Sequence, residues 1–148
     1  MKIEKVSEEI VAELFTKGAD CAQIVFAYVS ERVGVSSEDA FKIASAFGGG
    51  LGCGFTCGGL VAGMMALGAK YGHYRESDML ERRNVIIEKR AEYQKKFLEE
   101  VGKINCNDIL GHDVGSPEGF RKILEEKLFF TVCTKVVCSA CKILDEMI

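Results

Sequence analysis

The sequence lacks several residue types, and each absence narrows the class of protein. Among its 148 residues there is no tryptophan, only one proline and only two histidines. With so few histidines, no Ser-His-Asp hydrolase constellation can be singled out. An excess of one charge is also missing, because 22 acidic and 19 basic residues are mixed along the chain and give a net charge of -3. This balance argues against nucleic acid and anionic membranes as partners.

Neither a leader nor a membrane-spanning segment is expected. Its N-terminal stretch has no uninterrupted apolar run and no small-residue cleavage signal, so no secretory signal peptide is expected. Residues 43–69 carry no charge, but glycines crowd the first half of that segment, and each interior glycine costs a helix about 1 kcal/mol against alanine. We expect a glycine-rich loop that leads into a buried helix, no membrane insertion and a cytoplasmic location.

Helical periodicity is what the chain does have. Apolar residues recur at helical spacing, and no window alternates between apolar and polar residues as a strand would. The fold class is therefore predicted to be all-α: a single-domain bundle over residues 1–148, with about six or seven helices. The predicted helical segments are 7–17, 21–33, 36–47, 57–70, 77–101, 116–128 and 130–147, with a short apolar turn at 106–110.

Two segments carry more specific expectations. The residues of 57–70 are apolar all round, which indicates a central helix. Gly59 and Gly63 flatten one face of it, and that face favours either a homodimer or close packing within one chain. The long segment 77–101 is predicted to turn these apolar residues inward: Met79, Leu80, Val85, Ile86, Ile87, Tyr93, Phe97, Leu98 and Val101.

The chain has seven cysteines, an odd number and too few for a disulfide-stapled secreted domain. In a reducing compartment such cysteines are typical of redox or metal-binding sites, although a buried free cysteine can also act as a small hydrophobe. The glycine-rich loop does not match a phosphate-binding motif, because Phe55 and Thr56 follow Gly54 where a Walker loop needs lysine and serine or threonine.

Cys57 is the strongest candidate for a reactive thiol. It lies where the loop becomes a helix, and the positive end of a helix dipole stabilises a thiolate, so we expect its pKa to fall and its reactivity to be the highest. Cys53, four residues earlier in the loop, is a candidate resolving partner or second ligand.

A second group of cysteines lies near the C-terminus. Cys138 and Cys141 are three residues apart on a predicted helix, with Cys133 one to two turns earlier, and sulfurs at that spacing can share a metal or cluster. The alternative is a pair of core cysteines. His112 is the better of the two histidines as a ligand, because Cys106 lies six residues upstream.

These residues resemble the family of redox-active proteins named for the cysteine pattern C_GCAxxG_C_C. The matching stretches, in order, are Asp20-Cys21-Ala22-Gln23, the loop leading into Cys57-Gly58-Gly59-Leu60-Val61-Ala62-Gly63, Cys106 with Leu110-Gly111, Pro117-Glu118-Gly119, and Cys133 with its helix. Gly59 and Ala62 replace the alanine and second glycine of the pattern, small residue for small residue. Cys53, Cys138 and Cys141 are additional to it.

The resemblance implies an all-helical protein with thiol redox chemistry. It assigns the characteristic cysteines to Cys21, Cys57, Cys106 and Cys133, the predicted catalytic set, and implies an unknown redox partner. The alternative is a metal-binding protein, iron-sulfur before zinc, held by Cys57, Cys106 and Cys133 together with Cys21, Cys138 or Cys141. A third hypothesis is a structural module whose cysteines are buried hydrophobes.

Overall fold

Eight α-helices build the protein, and the computed structural model describes all 148 residues. The helices are α1 (Glu8–Thr16), α2 (Cys21–Ser30), α3 (Ser37–Ala44), α4 (Gly58–Tyr71), α5 (Met79–Val101), α6 (Cys106–Leu110), α7 (Pro117–Glu125) and α8 (Thr134–Met147). Short 3-10 or π turns occupy Glu31–Val33, Gly50–Gly54, Glu76–Asp78 and Phe129–Cys133. With no strand beyond one isolated bridge, the all-α class is confirmed. The predicted count of six or seven is low because the expected turn at 106–110 is itself a helix.

Serine side chains cap the start of three of the helices. The Ser7 hydroxyl accepts a hydrogen bond from the Ile10 amide at 3.2 Å. Ser36 accepts from Asp39 at 3.0 Å, and Ser116 accepts from the Gly119 amide at 2.9 Å. Each hydroxyl satisfies an amide that has no partner within the first turn, and this fixes where the helix begins.

Helix ends are less faithful to the sequence pattern. The segment predicted to run through residue 33 is α-helical only to Ser30, because Glu31–Val33 tighten into a 3-10 turn. Helix α7 ends at Glu125 rather than at residue 128, because Lys127 adopts a left-handed conformation with φ of 56°. That conformation cannot continue a right-handed helix.

Helix α4 is the central helix of the fold, as its composition predicted. It packs against α2, α5 and α8, and seven of its residues are buried. Its glycine face meets α5: the Tyr93 hydroxyl donates to the Gly59 carbonyl at 2.9 Å, and a Cβ on Gly63 would overlap the Tyr93 ring. Of the two alternatives for this face, the structure therefore shows packing within one chain.

Helix α5 buries less than its sequence suggested. Only Tyr93 and Phe97 are buried, whereas Leu80 is 73% exposed and Leu98 is 45% exposed. Met79 and Ile87 are also exposed, so the inward placement predicted for these four residues is wrong. The nine apolar positions extend around too much of the helix for one contact face to cover them all.

The buried residues form two clusters of unequal size. The main core has 25 buried residues, and it includes Cys57 with Cys21 packed at its edge. A small cluster joins Cys106, Leu110 and Ile123, with Cys133 packed against it. The characteristic cysteines thus lie where the two clusters meet. No helix of the chain is both long and apolar enough to span a bilayer.

The close approach of Tyr93 requires glycine at position 63. Alanine substitutions at two glycines of α4 should therefore differ in their effect on stability. Gly63→Ala should lower the free energy of unfolding by about 1–3 kcal/mol, because the added methyl group overlaps the tyrosine ring. The control is Gly68→Ala, where a Cβ meets nothing within 4 Å. That change should raise stability by about 0.5–1 kcal/mol through helix propensity. Urea denaturation measures both, and equal stabilities for the two variants would contradict the packing described here.

Candidate functional site

Four of the seven cysteines line one cavity: Cys21, Cys57, Cys106 and Cys133. Each comes from a different part of the chain, and each lies at a helix boundary. Cys21 and Cys106 are the first residues of α2 and α6, Cys57 is the N-cap of α4, and Cys133 joins a π turn to α8. The fold therefore collects the four cysteines that the family resemblance singled out.

Cys21 is positioned by the start of α2. The Asp20 carboxylate accepts from the Gln23 amide at 2.9 Å, and the Gln23 side chain accepts from the Asp20 amide at 3.0 Å, so the two form a capping box. The Gln23 side chain also donates to the Phe41 carbonyl of α3 at 3.1 Å. A Cβ on Gly58 would lie 2.5 Å from the Cys21 sulfur. Only glycine at position 58 lets this thiol approach the start of α4.

Cys57 and Cys106 are brought together by the backbone. The Cys57 amide donates to the Ile104 carbonyl at 2.8 Å, and the Cys106 amide donates to the Phe55 carbonyl at 2.6 Å. Between these bonds, Thr56 and Asn105 form an isolated antiparallel bridge. The end of the glycine-rich loop is thereby tied to the start of α6, and two cysteines 49 positions apart in the sequence become neighbours.

Cys133 depends on the π turn that precedes α8. Residues Phe129–Cys133 form this turn, and the Thr134 hydroxyl donates back to the Phe130 carbonyl at 3.1 Å. Single π turns are rare and occur often at functional sites. The sequence pattern predicted one continuous helix from Phe130, which is how the chain runs, but it did not predict the wider turn. Cys133 is the last residue of that turn, and it lines the cavity.

The glycine-rich loop forms the wall between α3 and α4. Gly50 and Gly54 have φ of 59° and 78°, and Leu51 shares this left-handed conformation with φ of 63°. Residues other than glycine rarely adopt this backbone conformation, so the run of glycines allows the loop to curl. Gly54 also packs directly on the Asn107 side chain, and a Cβ there would overlap it. The loop is thus fixed against α6.

The cavity has a volume of about 580 Å³. Its lining comprises 19 residues, of which 14 are hydrophobic, counting the four cysteines. Aromatic side chains from α1, α7 and the π turn surround the thiols: Phe15, Phe120, Phe129 and Phe130. Nothing in the sequence pattern predicted that α7 faces the cysteines. The apolar spacing of α7 indicates a face that can be buried, but it does not show which elements cover that face.

Burial dominates the acid–base properties of all four thiols. It raises the pKa of Cys106 to about 11 and the pKa of Cys133 to about 12, with a further contribution from Cys57 in both cases. Burial also raises the pKa of Cys21 well above its ordinary value, and the nearby Cys57 and Asp20 raise it further. Cys57 is the one cysteine that influences all three others. The thiols are therefore close enough to affect each other's ionisation.

The expectation that the Cys57 pKa falls is wrong. Cys57 is only 7% exposed, and burial raises its pKa. The backbone amides of Gly59 and Leu60 act in the predicted direction and lower it, but desolvation is the larger effect. Its burial also removes the access on which its expected high reactivity was based. Cys53 is the exposed cysteine of the loop, and it does not line the cavity.

The remaining candidates lie elsewhere. Cys141 is fully buried in the main core, and Cys138 is partly exposed one turn away, near Glu8 and Glu9 of α1. Neither lines the cavity. His112 lies 3.1 Å from a Glu126 carboxylate oxygen through its Nε2 atom and is likewise outside the cavity. The structure thus separates Cys138 and Cys141 from the four cysteines that it brings together.

No three side chains of histidine, cysteine, aspartate or glutamate are arranged so that they could hold a single metal ion. A zinc ion needs thiolates within roughly 2.3 Å of one point. The four cavity cysteines surround a shared space without meeting at such a point.

The fold and the site together define a class: an all-α protein with four cysteines around an apolar cavity. A family model described as "Putative redox-active protein (C_GCAxxG_C_C)" matches residues 19–147, and the chain belongs to this family. The match spans all four cavity cysteines. No curated protein and no solved structure matches the chain.

The raised pKa values predict how thiol labelling depends on pH. Since the thiolate is the reacting species, exposed Cys53 should react with iodoacetamide before buried Cys57 near pH 7. Labelling of Cys106 should accelerate about a hundredfold between about pH 7 and about pH 9, because its thiolate fraction grows about tenfold per pH unit below its pKa. Timed alkylation and peptide mass spectrometry give both rates. Faster labelling of Cys57 than of Cys53 would contradict the burial described here.

Proposed function

We propose that Cys21, Cys57, Cys106 and Cys133 form a thiol redox centre that alternates between a dithiol and a disulfide. Membership of a family of redox-active proteins supports the general chemistry. The observation that carries the proposal for these residues is their convergence on one cavity from four separate parts of the chain. In the oxidation step two thiols lose two protons and two electrons, and a sulfur–sulfur bond forms between them.

Cys57 is the proposed centre of this chemistry. It is the cysteine whose charge acts on each of the other three, so all three lie near it. Its link to Cys106 is also supported by the paired backbone segments that hold both residues. We therefore expect the first disulfide to include Cys57.

The surroundings of the thiols support a reaction with a bound acceptor rather than with any oxidant in solution. With their pKa values raised by burial, the thiols are protonated at neutral pH and are poor nucleophiles. Apolar walls also disfavour the entry of charged oxidants. A partner that enters the cavity and accepts protons together with electrons suits this environment.

Mild oxidation with diamide tests the proposal. The thiol count of the Cys53→Ser protein, measured after unfolding, should fall by two from six, and dithiothreitol should restore it. Peptide mapping should find Cys57 in the disulfide. The experiment uses Cys53→Ser as background, because that exposed thiol could link two molecules. A protein that keeps all cavity thiols, or that loses them irreversibly, would exclude the proposed centre.

Two matched pairs of variants make the result specific. Cys57→Ser should slow disulfide formation at least about tenfold, whereas Cys138→Ser, outside the cavity, should not. Gly58→Ala displaces the Cys21 sulfur, whereas a Cβ on Gly59 has its nearest neighbour at 3.7 Å, an ordinary contact. Only the first of these two glycine variants should alter which cysteine pairs with Cys57.

An iron-sulfur centre is the second candidate. Four cysteines around a shared space, with no three of them meeting at one point, suit a cluster whose iron atoms are spread out better than they suit a single zinc ion. Cys57, Cys106 and Cys133 would be ligands, and their common cavity favours Cys21 over Cys138 or Cys141 as the fourth.

Iron and sulfide analysis of protein purified without air tests this candidate. A cluster predicts stoichiometric iron with broad visible absorption. Both should be lost in the double variant Cys57→Ser/Cys133→Ser and kept in Cys138→Ser. Iron that survives the double variant would exclude a cluster in this cavity, and metal-free protein with a reversible disulfide would leave the dithiol centre as the function.

We also propose a reducing cytosolic location, where the seven free cysteines would stay reduced. The homodimer expected from the sequence stays an untested prediction. The glycine face of α4 no longer supports a dimer, because Tyr93 covers it within the chain. Sedimentation at tens of micromolar measures the assembly state, and a clean monomer would exclude the dimer.

A further inference from the structure

The wall of the cysteine cavity carries almost no charge. Apart from four cysteines and four glycines, its lining consists of ten apolar side chains and one aspartate. No lysine, arginine or histidine contributes to it. A site that binds an anion normally offers a cationic side chain or a row of free amides. At the start of α4 the amides of Gly59 and Leu60 already face the Cys57 thiol. At the start of α2 the Gln23 amide donates to Asp20. Burying an unpaired charge is strongly unfavourable.

The one charged residue of the lining also disfavours anions. Asp20 already uses its carboxylate to cap α2, where it accepts from the Gln23 amide. Its side chain also packs on Gly48, so it is held at the cavity wall. A carboxylate in this place repels anions. Glutathione disulfide and phosphate-bearing cofactors, which are both anionic, therefore fit the cavity poorly.

The entrance is apolar as well. Phe120 and Leu124 of α7 and Phe130 of the π turn line the cavity and remain 42%, 50% and 43% exposed, respectively. Phe130 packs edge-on against Phe15, and Phe120 packs against Phe129 with ring centres 5.8 Å apart. Exposed apolar side chains beside a cavity mark a binding site for an apolar molecule. The volume of about 580 Å³ suits a small organic compound.

We infer that the cavity binds an uncharged, apolar electron acceptor of the quinone class beside the four thiols. This inference rests on the proposed dithiol centre and names the class of its oxidant. Two thiols give up two protons and two electrons and form a disulfide. The two carbonyl oxygens of the quinone gain those protons and electrons, and a hydroquinone leaves. A quinone is an uncharged, apolar ring that accepts two protons and two electrons. It therefore needs no charged side chain to bind it.

Tetramethyl-1,4-benzoquinone is the probe, because its ring positions are all substituted and thiols cannot readily add to them. Reduced Cys53→Ser protein is mixed with it without air, and hydroquinone formed and thiols lost are counted. One hydroquinone should appear for each two thiols lost. The reaction should be at least about tenfold faster than with glutathione disulfide, an anionic oxidant. Equal or faster oxidation by glutathione disulfide would overturn the inference.

A matched pair of variants places the acceptor in the cavity. Leu124→Lys puts a cation at the entrance and should slow the quinone reaction about tenfold, a loss of about 1.4 kcal/mol in binding. It should also speed the reaction with glutathione disulfide. Leu80→Lys, at a 73% exposed position on α5 outside the cavity, should change neither rate. Equal effects of the two lysines would overturn the inference.

Diamide separates the failure of this inference from the failure of the function. If diamide forms the reversible Cys57 disulfide but the quinone does not, the dithiol centre stands and the acceptor class is wrong. If neither oxidant forms it, both proposals fall. Ligand-detected NMR with Cys57→Ser protein, in which disulfide formation is slowed, measures the binding of the quinone separately from its reduction. Quinone binding that is lost in Leu124→Lys and kept in Leu80→Lys supports the site, and binding unaffected by Leu124→Lys contradicts it.

Discussion

Two backbone hydrogen bonds, between Cys57 and Ile104 and between Cys106 and Phe55, tie the glycine-rich loop to the start of α6. Much of the site depends on this link. It closes a chain segment that includes all of α4 and α5, and it fixes the cavity wall where the two hydrophobic clusters meet. An antiparallel bridge in an otherwise helical protein is thus what makes two distant cysteines neighbours.

Small residues on α4 connect this site to the core. Gly58 admits the Cys21 sulfur at the start of the helix, and Gly63, five residues later, admits the Tyr93 ring. The same helix therefore positions a cysteine and packs the centre of the bundle. Because both approaches leave no room for a methyl group, the redox site and the stability of the fold depend on the same helix. A change that loosens α4 should therefore be felt at the thiols.

Helices and caps were predictable because their causes are local. Ser7, Asp20 and Ser116 cap their helices through neighbours three residues away, and such signals are visible in the sequence. Burial is not local. The sequence pattern predicted that Leu80 faces inward, but it is exposed. The helix start predicted a lowered pKa for the Cys57 thiol, but desolvation raises that pKa. The first error arose because apolar spacing shows that a face can be buried without showing which element covers it. The second arose because a helix start shows nothing of how deeply the thiol is buried.

The four characteristic cysteines came from a resemblance in motif, and their convergence on one cavity could not be derived from spacing. Treating the reduced, folded protein with dibromobimane, a short reagent that bridges two nearby thiols, tests that convergence most directly. Peptide mass spectrometry should find bridges that join Cys57 to Cys21, Cys106 or Cys133, and none of these should form in urea. Single labels without any bridge among the four cysteines would contradict the account.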